Sequence, residues 1–294
     1  MATSQASVAV SYKTILLATD FRSSSEAALP CALNFARLFD STVIAAHAVP
    51  FEPVAALASV PPSAGLDFEW GNAVEAMKTY QENHPFAGLR HEFILERGDT
   101  RDVIADLVVH RNVDLVVVGT HGRRGLQKVF SGSIAEQIFR TVPCPVLTVG
   151  PSAAHLPENW RPQRILFATE FAAGSVHAVP HALAIADANQ AELTFLHIVP
   201  LVMREEQPKI AALYERRLRD LIPSGSEHYG AMTFDICFRL PETGILETAK
   251  ERDVNLIVMG VHHAHFPRWD AHMPGTTASE VIAKAPCPVL TVQG

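Results

Sequence analysis

The residues best suited to do chemistry in this chain are a set of spaced glycines and one carboxylate. After the apolar run Leu115-Val116-Val117-Val118 the sequence reads Gly119-Thr120-His121-Gly122, and Gly132-Ser133 follows, which is a G-x2-G-x9-G-S spacing. Glycine has no Cβ, so backbone N–H groups at Gly119 and Gly122 can approach an anion closely. If Gly132-Ser133 opens a helix, the free N–H groups and positive dipole end of that helix attract phosphate oxygens. The Ser133 hydroxyl can cap the helix or donate to a phosphate. Arg123, Arg124 and Lys128 add positive charge over the same loop, and Ile134 follows the serine. Asp20, which ends another apolar run, can accept hydrogen bonds from an adenine amino group or a ribose hydroxyl. Glycines alone would serve tight turns just as well. The full spacing between an apolar strand and a helix, paired with an acidic residue, favours a nucleotide site.

The elements that must position these residues occur twice. Residues 14–21 (Thr-Ile-Leu-Leu-Ala-Thr-Asp-Phe) return as residues 164–171 (Arg-Ile-Leu-Phe-Ala-Thr-Glu-Phe), and His47-Ala48-Val49-Pro50 returns as His197-Ile198-Val199-Pro200. Residues 112–119 match 253–260, and Val142-Pro143-Cys144-Pro145 with its following strand matches Ala285-Pro286-Cys287-Pro288. Four blocks in one order mean two copies of one domain, expected at 1–150 and 160–294, with a Gly/Pro/Ser-rich seam near 150–162. Short β-branched runs at 15–19, 42–48, 91–95, 115–118 and 146–149 alternate with helical patterns at 24–39, 100–110 and 133–141. Residues 50–71 read as a Pro- and Ala-rich crossover with a short helix. Strands that are apolar on both faces belong in a parallel sheet covered by helices. The expected fold is therefore α/β, two tandem doubly wound parallel-sheet domains, with any ligand beyond the carboxyl ends of the strands.

Composition limits the partners. Of 294 residues 48% are hydrophobic, and 24 Lys plus Arg stand against 31 Asp plus Glu. Both halves are mildly acidic and no basic patch or tail declares itself, which argues against a protein that holds duplex DNA by phosphate neutralisation. No stretch reaches the roughly 18 apolar residues of a membrane span, and the N-terminal residues lack the pattern of a secretory signal. The expectation is a soluble, cytoplasmic chain without membrane or nucleic-acid partners. The four cysteines (Cys31, Cys144, Cys237, Cys287) lie in apolar runs without a CxxC pair, as reduced, buried thiols do.

The second copy departs from the first. Glu170 replaces Asp20, Gly260 replaces Gly119, but His263 stands where the second glycine should be, and the loop to Gly275 is two residues longer. A side chain at His263 opposes close phosphate approach, so the second copy is expected to bind nucleotide weakly or not at all. His262, His263, His265, Asp270 and His272 are all metal-ligand types, yet their spacing matches no established zinc motif, and no metal site is assigned. His47 and His197 end apolar strands and read as structural histidines. Neither a Walker A motif, a kinase signature set nor a G-x-S-x-G elbow is present, so no catalytic residue is assigned.

The sequence resembles the universal stress protein family in its tandem form. The resemblance is carried by the Ile-Leu-x-Ala-Thr-Asp-Phe opening, His-x-Val-Pro, Val-Asp-Leu-Val-Val-Val-Gly, Gly-Thr-His-Gly, Gly-Ser and the closing Pro-Cys-Pro-Val-Leu-Thr-Val, and covers nearly the whole chain. It implies a Rossmann-like fold of the adenine nucleotide alpha hydrolase type, a role in the stress response and binding of ATP or another adenine nucleotide, with Mg as a companion ion. Asp20 and Ala48 would border adenine and ribose, while Val118, Gly119, His121, Gly122, Gly132, Ser133 and Ile134 would line the phosphate side. The family more often has Val at the position of Ala48, which implies looser adenine packing. The resemblance also implies that the last strands of the two copies pair, making one chain an intramolecular pseudo-dimer that could associate into a further homodimer. Alternatives are a nucleotide-independent interaction protein with unidentified protein partners, and a slow ATPase or autophosphorylating protein with Ser133 or a loop hydroxyl as acceptor.

Overall fold

The computed structural model describes residues 10–50, 62–84, 86, 88–120, 134–200, 203–223, 231–261 and 276–294. The first copy runs β1 (Thr14–Ala18), α1 (Ser23–Glu26), α2 (Leu29–Phe39), β2 (Thr42–Val49), α3 (Pro62–Asn83), β3 (Arg90–Arg97), α4 (Thr100–His110), β4 (Leu115–Gly119), α5 (Ile134–Thr141) and β5 (Val146–Val149). After a short 3-10 turn at Pro151–Ala153, the second runs β6 (Arg164–Thr169), α6 (Ala173–Asn189), β7 (Glu192–Ile198), α7 (Gln207–Arg219), β8 (Met232–Cys237), α8 (Pro241–Glu251), β9 (Leu256–Val261), α9 (Thr277–Lys284) and β10 (Val289–Gln293).

Among the described residues ten strands form one sheet in the order β3-β2-β1-β4-β5-β10-β9-β6-β7-β8. Within each copy neighbouring strands are parallel, and β5 meets β10 antiparallel, with Leu147 opposite Leu290. The two doubly wound domains thus share a sheet, and each last strand covers the edge that the other would otherwise expose. Strand residues alternate between two apolar layers, each of which crosses the seam. One layer joins Ile15, Leu17 and Leu147 to Phe167, Leu290 and the helices α2 and α6. The other joins Leu16, Val118 and Val146 to Leu166, Val289 and the helices α4, α5, α8 and α9. Leu147 and Leu290 are fully buried, and burying a leucine side chain is worth ~1.5–3 kcal/mol.

Three local features differ from the sequence reading. The helix expected over 24–39 is split into α1 and α2, because Pro30 lies in the first turn of α2, where its missing N–H costs nothing. Its counterpart Pro180 is carried inside the longer α6. The 50–71 crossover is not a loop with a short helix: α3 has 22 residues, begins at Pro62 and buries Ala73, Met77 and Tyr80 on one stripe. Residues 51–61 of that crossover lie outside the described residues. Cys31, Cys144 and Cys287 are buried free thiols, while Cys237 is only half-buried on the edge strand β8. Burial pushes the Cys144 and Cys287 thiols up to about 12, which leaves them unreactive as nucleophiles.

Candidate functional site

The strand order 3-2-1-4-5 reverses between β1 and β4, and the crevice beyond their carboxyl ends is where an open parallel sheet takes a ligand. The register brings the ends together: Ala18 lies beside Ala46 on one side and Val118 on the other. Ala18, Ala48 and Val118 all face the layer covered by α4 and α5, and each is buried. They make a small apolar floor, and α5, whose Ala135, Ile138 and Phe139 pack into the same layer, starts over it at the half-exposed Ile134. Gly119 ends β4, and Thr120 continues to Val149 through its N–H at 2.9 Å. Of the residues assigned from sequence, Asp20, Ala48, Val118, Gly119 and Ile134 therefore gather at one end of the sheet. His121, Gly122, Gly132 and Ser133 lie outside the described residues, as do Arg123, Arg124, Lys128 and the histidine-rich stretch His262 to His272.

Asp20 is held in a tight turn. Its N–H donates to Ser25 Oγ at 3.3 Å, and its Oδ1 accepts the Arg22 N–H at 3.1 Å. The turn is anchored by Thr19, whose hydroxyl accepts the Phe21 N–H at 3.1 Å and whose carbonyl accepts from His47 Nδ1 at 2.7 Å. A carbonyl only accepts, so His47 carries its proton on Nδ1. Burial lowers the His47 pKa, against the raising influence of the Thr19 carbonyl and Asp20, so the ring is neutral near pH 7. Phe21 packs on this ring at 4.6 Å between centroids and adopts φ 59°, the left-handed region that non-glycine residues rarely enter.

The second copy repeats the turn. Thr169 Oγ1 accepts the Phe171 N–H at 3.0 Å, His197 Nδ1 donates to the Thr169 carbonyl at 2.8 Å, and Phe171 has φ 63°. Sequence reasoning missed this device. Its signal was present in the twice-repeated Thr-Asp/Glu-Phe and His-x-Val-Pro blocks, which place an acidic residue at the switch point of each domain.

With that geometry in view, the sequence profile of the Universal stress protein family matches residues 11–150 and again 162–293. The chain belongs to the universal stress protein family. A universal stress protein of Methanocaldococcus jannaschii is 32% identical over 146 residues, which span 47% of this chain and 82% of that protein. A universal stress protein structure from Archaeoglobus fulgidus superposes with a TM-score of 0.73 at 19% identity, covering 96% of this chain and 98% of that one. A functionally unknown protein from Pseudomonas aeruginosa superposes with a TM-score of 0.60 at 16% identity, covering 98% and 95%. Both structures share the tandem extent of this chain.

In the second domain of this universal stress protein two of the equivalent motif positions are engaged within the domain. A Cβ on Gly260 would lie 2.3 Å from the Ser175 nitrogen and 2.4 Å from the Gly174 carbonyl, so this glycine lets the first turn of α6 rest directly on β9. Thr276, at the position of Ser133, accepts the Ser279 N–H at 3.3 Å and caps α9. Packing and capping thus account for Gly260 and Thr276, while Gly275 lies outside the described residues. Among the described residues no group of three or more His, Cys, Asp or Glu could hold a metal ion, and no helix is long and apolar enough to cross a membrane.

Proposed function

We propose that the first domain binds one adenine nucleotide, ATP first, and that the second domain is its structural partner. In this reading nucleotide occupancy switches the association of the chain with other proteins. The observation that carries the reading is that Gly119, the first glycine of the G-x2-G-x9-G-S sequence, ends β4 at the switch point where Asp20 is held in its turn after β1. Asp20 accepts from the ribose or the adenine amino group. Ala48 and Val118 form the apolar side of the pocket. Gly119 and Gly122 offer N–H groups near the phosphates, with His121 between them, and Gly132, Ser133 and Ile134 bring the start of α5 to the terminal phosphates. Mg accompanies the phosphates as their counter-ion. In the second domain His263 stands at the second glycine and the loop to Gly275 is two residues longer, which supports the scaffold role.

The test is the nucleotide released by denaturing the purified chain, together with calorimetric ATP titration of the stripped protein. One nucleotide per chain is expected, and Gly122→Val should weaken binding at least ~100-fold, about 2.7 kcal/mol. Two per chain would overturn the scaffold role, and no binding at millimolar ATP would leave the interaction-only reading. Phosphate release above the Gly122→Val background would add hydrolysis to the activity.

A further inference from the structure

The β5–β10 register maps onto itself when each residue is exchanged for its counterpart 143 positions away, because Val146–Thr291, Leu147–Leu290 and Thr148–Val289 interchange. An approximate two-fold axis therefore passes between Leu147 and Leu290. If two identical domains met across such an axis, every off-axis contact would occur twice. Among the described residues the side-chain polar contacts at this seam break that equivalence. Glu136 and Ser279 are counterparts, and the Ser279 hydroxyl donates to Glu136 Oε1 at 3.1 Å, both residues being buried. Arg140 donates to the same oxygen at 3.0 Å. Gln293 Nε2 donates to the Phe139 carbonyl at 2.6 Å; the counterpart contact sets Gly150 against the Ile282 carbonyl, where a Cβ would lie 2.5 Å from the oxygen. On the other face the Tyr12 hydroxyl is hydrogen-bonded to His181 Nδ1 at 2.7 Å. Their counterparts, 150 positions away, are Pro162 and Cys31, which cannot reproduce that bond.

Exchanging the partners shows what these differences do. Two first domains paired in this way would set Glu136 against Glu136, two buried carboxylates facing each other, each held by its own Arg140 but neither with a hydroxyl to donate to it. They would also set the buried Tyr12 hydroxyl against Cys31. Two second domains would set Ser279 against Ser279 and leave His181 facing Pro162. Each like-with-like pairing thus either crowds buried charge or strands a buried polar group, whereas the unlike pairing satisfies both.

We infer that the pairing surface of each domain is selective for the other domain, with Glu136 and Ser279 as the determinants at the axis. The β5–β10 pairing within one chain meets that selectivity, and a like-with-like dimer through the same strands does not.

The experiment is a double-mutant cycle in the full-length chain, read by thermal unfolding and by mass in solution. Ser279→Glu places a second carboxylate at the axis and should lower Tm by roughly 5–15 °C. The exchanged variant E136S/S279E rebuilds the pair with its ends reversed and should recover more than half of that loss as a monomer. A Ser279→Glu chain as stable as the parent would overturn the inference. So would an exchanged variant whose loss equals the sum of Glu136→Ser and Ser279→Glu. If Ser279→Glu fails to fold, the exchanged variant decides alone: a folded monomer supports selectivity, and an unfolded or dimeric one refutes it.

Discussion

At the scale of single residues, the glycines separate by what a side chain would touch. Gly260 has backbone atoms of Gly174 and Ser175 within 2.4 Å of a Cβ, while Gly71, inside α3, has nothing within 4 Å. Gly260→Ala should lower the unfolding free energy by ~1–3 kcal/mol, as overpacking does. Gly71→Ala should raise it by ~0.5–1 kcal/mol by stiffening the unfolded chain and favouring the helix. Urea unfolding of the two variants beside the parent checks both signs. The position of Asp20 at the end of β1 was legible in the sequence because an acidic residue closes the same apolar run in both copies, whereas Ala48 and Val118 were named on the family resemblance. The left-handed Phe21 and Phe171 were not, since a positive φ at phenylalanine is imposed by surroundings, here a threonine hydroxyl below and a histidine ring against the side chain.

At the scale of elements, the paired strands β5 and β10 place two threonines at equivalent positions with unequal surroundings. The Thr291 hydroxyl donates to the Val146 carbonyl at 3.2 Å, whereas the buried Thr148 hydroxyl has no hydrogen-bond partner among the described residues. A buried hydroxyl without a partner costs free energy that an isosteric methyl avoids. Thr148→Val should therefore stabilise the chain by about 1 kcal/mol, and Thr291→Val should destabilise it by a similar amount, both measurable by calorimetry. Opposite signs at two equivalent positions would show that the repeat is not a symmetric one. The strands and α4 were readable from periodicity, because burial on two faces demands unbroken β-branched runs and burial on one face demands a helical stripe. The length of α3 was not, since its glycines and Pro62 look like breakers until the buried Ala73, Met77 and Tyr80 outweigh them.

At the scale of the whole molecule, the contact between Tyr12 and His181 predicts that the union of the domains weakens in acid. Burial depresses the His181 pKa from 6.5 to about 4. The unfolded chain then binds more protons than the folded one between those values. Stability contributed by neutral His181 is complete above pH 6.5 and is lost as pH falls toward 4. His47 and His197, also lowered by burial, act in the same direction. His181→Asn, which keeps an acceptor near the Nδ1 position but does not titrate, should flatten the decline of Tm with acid relative to the parent. An unchanged slope would show that His181 does not report on the seam.

Periodicity and repetition are properties of the chain itself, so sequence alone determined that there are two α/β copies, that the glycine motif is whole in one and broken in the other, and that an acidic residue follows the first strand of each. Pairing is a property of surfaces brought together from distant parts of the chain. Only the tertiary structure decided that Gly260 serves helix packing, that Glu136 meets Ser279 across the axis, and that Tyr12 reaches His181, 169 residues away. The reason is physical: local propensity and burial pattern follow from neighbouring residues, whereas steric fit and hydrogen-bond satisfaction depend on which distant groups the fold sets face to face.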